Sequence, residues 1–429
     1  MIASKARTPM ENKHDKNGLP PHWMEHCAIV YAKEPLGYEP SARMLQAAIE
    51  GMTEIRPPVR AEGEGLLAPF EILIGRTDRP LSRVCYSQTD DKLLMTFALH
   101  ADSQSLQVAC GGPHSARLGV EALACAIDNG SLSEVLGVKH DLAPESLPLT
   151  QGADMRIMSV NVLGECYRRK RDLDRYPVSA ERAEILAKLL ADYTPDLVGV
   201  QEMDVNFHEP LLCYFKILKQ CYGVSYSMIL TRHLDRTNDC PILYRSDKYR
   251  VIHQRFVPPR YAPADNEEKY PTQYPCGVSS AVFVSLSDPT VQTALLSNHW
   301  HWEKEEKAPV PPRQQIDAED LAATVLALEA SYPGARVFST GDFNSHRFEG
   351  KYFEQFLSVT DGVPAERIAE AGGVHSPGLI HKGCLIDHIV GRKGSFDVLL
   401  HRPTHNRSDV LTDHQPIFAD VKFLSTEGR

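Results

Sequence analysis

Polar side chains stand at the ends of several short apolar runs in this chain. The stretch Gly341-Asp342-Phe343-Asn344-Ser345 follows one such run, and Thr412-Asp413-His414 lies near the C-terminus. Asn161, Gln201-Glu202 and Asn298-His299 occupy comparable places. Functional groups gathered at strand ends need a rigid sheet scaffold behind them. The pattern therefore predicts a domain of packed sheets that carries one polar site at the sheet ends.

The apolar runs from residue 155 onward have the lengths and alternation of β-strands, and stretches with helical spacing separate them. Strands are predicted at 155–162, 197–200, 241–244, 280–286, 291–296, 337–339, 386–390 and 417–421. Helices are predicted over 179–193, 314–330 and 351–358, with Ser179 as the N-cap of the first. Many short strands and few helices favour packed sheets flanked by helices.

The first third of the chain is predicted to form a separate, small α+β unit. Helical spacing covers 42–52 and 116–127, and strand-like runs lie at 70–74, 93–99 and 106–109. Two prolines, a glycine and several polar residues then indicate a linker. The predicted division is a flexible arm at 1–24, a small domain at 25–140, a linker at 141–154, a second domain at 155–424 and a tail at 425–429.

Composition narrows the class of protein. The 429 residues carry a net charge of −10 and no CxxC pair among their ten cysteines. No apolar run approaches the roughly 18–20 residues that cross a bilayer, and the charged N-terminus lacks the apolar core of a secretory signal. These features predict a soluble, cytoplasmic protein with reduced thiols. They show no strong charge signature for nucleic-acid binding and leave the oligomeric state open.

The polar residue types suit metal-assisted attack of water on a phosphate ester. Glu202 and Asn161 provide the oxygen donors that Mg²⁺ prefers, and Asp342 can position water while Asn344 holds a phosphate oxygen. His299 and His414 can stabilise the equatorial oxygens of the phosphate, and Asp387 is the natural carboxylate to orient an imidazole. Each residue also has an ordinary structural interpretation, such as a solvated strand end, a turn or a buried hydrogen bond.

Three weaker features accompany this set. Arg168-Arg169-Lys170-Arg171 is the best local basic patch, so Arg168 is a candidate for gripping substrate phosphate. His299 and His301 form an HxH pair, which alone is poor evidence for a transition metal. The proline- and tyrosine-rich segment 257–276 is the candidate for selecting the substrate at the edge of the site.

Residues 155–424 resemble the endonuclease/exonuclease/phosphatase superfamily, the DNase I-like group of nucleases, sphingomyelinases, inositol-phosphate phosphatases and deadenylases. The segments that carry the resemblance occur in the family's order: MSVNVLGE, PDLVGVQEM, CPILYRSDKY, LLSNHW, TGDFNS, LIDHIV and SDVLTDHQPIFADV. The resemblance implies a four-layered α/β sandwich with its site at one end of two packed sheets.

The resemblance also implies roles for individual residues. Asn161 and Glu202 would lie at a divalent metal, and Asp342 and Asn344 at the water and phosphate. His299 and His414 would face the phosphate. Of Asp387 and Asp413, one would lie near a metal or its water and the other would support the histidine chemistry. The sequence leaves open which aspartate takes which role. The resemblance further implies that Arg313 corresponds to a substrate-binding arginine of the family, with a spacing that departs from the family pattern.

The small first domain resembles the α+β accessory domain that precedes catalytic barrels in bacterial hexosaminidases and α-glucuronidases, through FEILIGRTDRP and VACGGPHSARLGVEAL. This resemblance implies a docking or spacer module.

For the whole chain we expect a Mg²⁺- or Mn²⁺-dependent phosphodiesterase. The alternative is a catalytically inactive binding protein with the same sandwich. Nucleic acids, phospholipids and small phosphodiesters all remain open as substrates.

Overall fold

The computed structural model describes residues 19, 22–33, 37–88, 93–142, 146–168, 176–230, 232–233, 236–237, 240–260, 277–301, 312–345, 350–373, 385–404 and 408–424. By its internal contacts the chain divides into two compact units, Met1–Pro144 and Glu145–Arg429. The predicted arm at 1–24 and the tail at 425–429 fall largely outside the described residues.

The first unit is a six-stranded mixed sheet with helices packed on it. Strands β2, β1, β3 and β5 run parallel in that order, and β4 and β6 continue the sheet antiparallel. The strands are β1 (Cys27–Tyr31), β2 (Val59–Ala61), β3 (Phe70–Ile74), β4 (Thr96–Ala101), β5 (Ser105–Cys110) and β6 (Lys139–Asp141). The helices are α1 (Glu39–Thr53), α2 (Pro80–Gln88), α3 (Pro113–Asp128) and α4 (Leu132–Val135). This is the α+β architecture that the sequence predicts.

Two six-stranded sheets build the second unit. The first has the order β19-β20-β7-β8-β12-β9 and the second the order β13-β14-β15-β16-β18-β17, while β10 and β11 form a short hairpin. The strands are β7 (Met155–Asn161), β8 (Leu197–Gln201), β9 (Tyr226–Ile229), β10 (Arg232–His233), β11 (Arg236–Thr237), β12 (Ile242–Arg245), β13 (Tyr249–Val257), β14 (Val278–Ser285), β15 (Gln292–His299), β16 (Arg336–Asp342), β17 (Gly362–Pro364), β18 (Asp387–Arg392), β19 (Phe396–Pro403) and β20 (Ile417–Phe423).

Helices cover the outer faces of these sheets. They are α5 (Glu165–Arg168), α6 (Ser179–Tyr193), α7 (Val205–Tyr222), α8 (Arg313–Ser331), α9 (Lys351–Thr360), α10 (Ala365–Gly372) and α11 (Ser408–Leu411). Apolar side chains of both sheets, such as Ile157 and Leu295, form one core between the sheets. A second core joins β14 and β15 to α8 and α9. The expected four-layered α/β sandwich is confirmed.

The structure corrects several local predictions. Ser179 is not an N-cap: Val178 holds that position, and the Ser179 hydroxyl donates to Glu165 instead. The predicted strand at 93–99 begins only at Thr96, because residues 93–95 form a turn in which Met95 has φ 54°. The sequence interpretation also missed whole elements, including α2, the 18-residue helix α7, β13 and β19. The second unit therefore has more helix than "few helices" implies.

Candidate active site

The site lies where strands of both sheets end side by side. In the second sheet, His299 of β15 pairs in register with Asp342 of β16, and Asp342 pairs with Asp387 of β18. Residues paired across neighbouring strands project from the same face of a sheet. The register therefore places one imidazole and two carboxylates in a row. Asn161 ends β7 of the first sheet, and Glu202 follows β8 directly.

Asp342 is the centre of the cluster. Its Oδ2 lies 3.3 Å from Asn161 Nδ2 and 3.7 Å from Nε2 of both His299 and His414. The residue is only 2% exposed. Burial raises the pKa of the Asp342 carboxyl above its ordinary value, and the nearby Asp387 charge adds to this, while His414 and His299 oppose it. A buried carboxylate in this setting gains from any further positive charge placed beside it.

Glu202 and Asn161 form the side of the cluster that the first sheet contributes. Glu202 has φ 58°, a left-handed conformation that a non-glycine residue adopts only where its surroundings hold it. Its Oε1 accepts a hydrogen bond from Asn161 Nδ2 at 2.9 Å, and its Oε2 accepts one from the Gly164 backbone N–H at 2.9 Å. Asn161 Oδ1 accepts from the Leu163 N–H at 3.0 Å. These bonds fix both side chains against one another.

His414 is held by Asp387, and the sequence left open whether Asp387 or Asp413 supports a histidine. The distance from His414 Nδ1 to Asp387 Oδ2 is 2.7 Å. Burial would lower the pKa of His414, but Asp387 and Asp342 together raise it from 6.5 to about 9. The ring is therefore an imidazolium at neutral pH, with its Nε2–H directed toward the Asp342 side of the cluster.

Asn344 reaches the site by a turn, which corrects the expectation that alternate side chains of one extended strand point the same way. Strand β16 ends at Asp342, and Asn344 has φ 45°. The Asn344 backbone N–H donates to Asp342 Oδ1 at 2.8 Å, and its side-chain Nδ2 donates to the Trp300 carbonyl at 2.7 Å. Gln314 at the start of α8 donates to the Asn344 carbonyl at 2.9 Å. Sequence reasoning missed Gln314 and Trp300 because neither carries a recognisable catalytic group.

Small and hydroxyl side chains bring the two sheets together behind the site. A methyl group at Gly199 would collide with Thr340 Oγ1, so glycine is required at this crossing. Gln201 Nε2 donates to Ser297 Oγ at 3.2 Å, and Ser297 Oγ donates to the Val200 carbonyl at 2.9 Å. Gln201, which the sequence places beside Glu202, thus lies in the inter-sheet layer and supports the site from behind.

Two overlapping groups of side chains have the geometry to hold a cation. Ligand atoms of Glu202, His299 and Asp342 lie within 4.8 Å of one another, and so do those of Asp342, Asp387 and His414. Asp387 Oδ1 is buried and accepts no hydrogen bond among the described residues. Three carboxylates with one orphaned oxygen are hard donors that fit a divalent cation of the Mg²⁺ or Mn²⁺ kind.

A family model supports the same interpretation. The model of the endonuclease/exonuclease/phosphatase family matches residues 158–414. The chain belongs to this family. Its members are hydrolases of phosphate esters, among them nucleases and phosphatases. No curated protein matches the chain in sequence.

Several solved structures are similar to part of the chain at low sequence identity. The human Nocturnin catalytic domain with bound sulfate is 15% identical, with a TM-score of 0.47, over 63% of this chain and 94% of that one. A Bacteroides thetaiotaomicron mannosyl-6-phosphatase is 15% identical, with a TM-score of 0.46, over 63% and 100%. D. rerio TDP2 with a single-stranded DNA product is 16% identical, with a TM-score of 0.44, over 62% and 98%.

Besides Asn161 and Asn344, three residues with predicted roles lie outside the two cation-holding groups. Arg168 is 9% exposed, pairs with Glu165 at 2.6 Å and donates to the Tyr176 carbonyl at 3.0 Å. Its charge is thus engaged within the fold, and Arg169 to Arg171 lie outside the described residues. Arg313 is half-buried at the first position of α8, next to Gln314. Asp413 is half-buried beside His414. Their roles stay predictions.

Of the HxH pair, only His299 belongs to the cluster. The HxH pair separates, because His301 Nδ1 lies 3.6 Å from Asp317 Oδ2 and its backbone N–H donates to the same carboxylate. Of the segment 257–276, only residues 257–260 are described, and Arg260 there pairs with Glu319 at 2.9 Å. None of the helices in the described part of the chain is long and apolar enough to span a bilayer.

Proposed function

We propose that this chain is a Mg²⁺- or Mn²⁺-dependent phosphodiesterase that acts by in-line attack of an activated water. The observation that carries the proposal is the convergence of Glu202, Asp387, His299 and His414 on the buried Asp342 carboxylate. A carboxylate cluster of this kind is costly to bury unless a cation completes it. The family's chemistry, hydrolysis of phosphate esters, is consistent with such a centre.

The oxygen-bearing side chains of the cluster have two proposed roles, cation binding and activation of water. Glu202 and Asn161, with Asp342 beside them, would hold the cation, which would supply Lewis-acid polarisation of a phosphoryl oxygen. Asp342 positions the attacking water and accepts its proton, a role that its raised pKa favours.

The remaining polar groups face the phosphate. The His414 imidazolium, fixed by Asp387, donates from Nε2 to an equatorial phosphate oxygen, and His299 donates from the other side. Asn344 has a second amide hydrogen beyond the one that Trp300 accepts, and we assign it to the phosphate. We place Arg313 at the edge of the site, in contact with the substrate, and Asp413 beside the metal.

Charge favours a diester over a monoester. A phosphate monoester carries between one and two negative charges at pH 7, whereas a diester carries one. Glu202, Asp342 and Asp387 already bring three carboxylates together in the described cluster. The less charged substrate therefore meets less repulsion.

The test is hydrolysis of bis(p-nitrophenyl) phosphate and p-nitrophenyl phosphate with Mg²⁺, Mn²⁺ or EDTA. We expect metal-dependent release, faster for the diester, and a loss of at least about 1000-fold in Glu202→Gln. Glu209→Gln, an exposed glutamate of α7, is the matched control. Mg²⁺ should raise the Tm of the wild type and of Glu209→Gln, but not that of Glu202→Gln. Activity of Glu202→Gln near that of the wild type would refute the mechanism.

Small substrates lack the remote binding energy that some enzymes use, so single-stranded DNA, RNA and phospholipid vesicles complete the panel. Release from one of these would name the substrate class. No release from any of them would favour the alternative, a binding protein that keeps the sandwich without its catalysis. We further propose that the first unit serves as a docking or spacer module.

A further inference from the structure

A fully buried ion pair lies directly beneath the active-site turn. His388 Nδ1 is 2.6 Å from Glu366 Oε1, and both side chains are 0% exposed. His388 follows Asp387 on β18, and successive side chains of a strand project from opposite faces of its sheet. The strand therefore sends Asp387 to the site and His388 to the face behind it.

The His388 ring contacts the turn that carries Asn344. Its Nε2 lies 3.4 Å from the Ser345 carbonyl oxygen, and its plane stacks on Phe353 at a centroid distance of 4.4 Å. The Phe343 ring meets it edge-on at 5.5 Å. Because Glu366 and the Ser345 carbonyl both act as acceptors, hydrogens on both ring nitrogens satisfy this geometry. The ring thus connects helix α10 to the last residue of the Asp342–Ser345 turn.

Burying a charged pair in this place is costly for stability, and apolar residues of the same volume often serve a core better. Burial would raise the pKa of Glu366, yet the charge and hydrogen bond of His388 hold it below its ordinary value. The second oxygen of Glu366, Oε2, has no hydrogen-bond partner among the described residues. A costly pair that touches an active-site turn is better explained by positioning than by stability.

We propose that Glu366 and His388 are positioning residues that hold the Asp342–Ser345 turn in its catalytic geometry. The pair acts from the face opposite the substrate and touches no reacting atom. It fixes the Ser345 carbonyl, and through the turn it sets where Asn344 and Asp342 lie relative to the phosphate. The effect on catalysis rests on the proposed function, whereas the effect on the turn does not.

Two substitutions of His388 test separately the contacts made by its two ring nitrogens. His388→Asn keeps a donor near the Nδ1 position and loses the reach to Ser345, whereas His388→Gln extends an amide toward the Nε2 position. We expect kcat to fall about 100-fold in His388→Asn with little change in KM, since displacement of a turn by about 1 Å costs that much. His388→Gln should recover most of this loss. Glu366→Gln, which keeps the volume and removes the charge, should show a smaller drop of about tenfold.

Hydrogen exchange of the peptide that contains the turn gives a readout independent of hydrolysis. The Phe343 N–H donates to the Ile386 carbonyl and the Asn344 N–H donates to Asp342. Both amides should exchange faster in His388→Asn and keep wild-type rates in His388→Gln. Asp420→Asn, at the other end of the sandwich, is the control that destabilises the domain without loosening this turn.

The outcomes are distinct. If the wild type hydrolyses no substrate, the proposed function fails, and exchange in the turn still decides the positioning role. If His388→Asn does not fold, Glu366→Gln supplies the same comparison. Unchanged exchange in the turn, or acceleration spread evenly over the domain as in Asp420→Asn, would overturn the proposal. A kcat that falls only in proportion to the folded fraction would also overturn it.

Discussion

Two buried aspartates in the second unit have opposite surroundings. Asp420, at 0% exposure, accepts hydrogen bonds from Arg156 Nε at 2.6 Å and Nη2 at 2.7 Å, and from the Thr150 N–H and hydroxyl at 2.9 and 2.6 Å. Asp342 has one backbone donor, the Asn161 amide at 3.3 Å and two imidazoles 3.7 Å away. Both flank β7, which begins near Arg156 and ends at Asn161.

The difference distinguishes a structural aspartate, Asp420, from a functional one, Asp342. Arg156 neutralises Asp420 within the fold, and its guanidinium also donates to the carbonyls of Leu147 and Tyr193 at 2.6 Å. The end of the sandwich that holds Arg156 and Asp420 therefore needs no external cation to balance its charge. Asp342 lies beside two other carboxylates, and among the described residues only the histidines 299 and 414 form ion pairs with it, so its end of the sandwich retains affinity for a cation. Residual negative charge, rather than burial, distinguishes the site.

The largest expected effect comes from neutralising Asp342. Asp342→Asn should lower kcat/KM by at least about 1000-fold, which is about 4 kcal/mol of transition-state stabilisation. Stability should be equal or higher, because burial disfavours the charged carboxyl that the amide replaces. Steady-state kinetics and urea denaturation measure the two quantities. A large loss of stability together with activity would mean that Asp342, like Asp420, is structural.

At Asp420 we expect the opposite result, a loss of stability with little loss of activity. Arg156→Met leaves the Asp420 carboxylate buried and unpaired, and should cost about 3 kcal/mol of unfolding free energy. The kcat per folded molecule should stay within about twofold of wild type at a temperature where the variant is folded. The double variant Arg156→Met/Asp420→Leu should recover much of the stability. Loss of kcat in the folded single variant would contradict the separation of the two ends.

A smaller effect is expected in the pH dependence of stability. The folded-state pKa of His414 is about 9, above its ordinary 6.5, so its contribution is fully present below pH 6.5. That contribution is lost as pH rises from 6.5 through about 9. In EDTA, the wild type should therefore lose unfolding free energy over this window more steeply than His414→Asn. Equal slopes would show that the Asp387–His414 pair is not ionic.

Much of the site was predictable because its residue types identify its chemistry. Asp342 and Asn344 after an apolar run, and a carboxylate at 387 suited to orient an imidazole, follow from the sequence, and in the structure Asp387 contacts His414. Three features were not predictable in this way. Backbone donors such as the Gly164 N–H and the left-handed turns at Glu202 and Asn344 carry no distinctive side chain. Helix α7 is capped by Asp204 and Gly223, but it contains Pro210, a residue that usually ends a helix.

The sequence by itself determined many of the strands, the polar groups at their ends and the family to which the chain belongs, because alternation and residue chemistry are local properties. Only the tertiary structure decided which groups meet. Strand register placed His299, Asp342 and Asp387 in one row, and Gly199 let the two sheets approach behind them. Register and sheet spacing depend on pairing between segments far apart in the chain, which no single segment encodes.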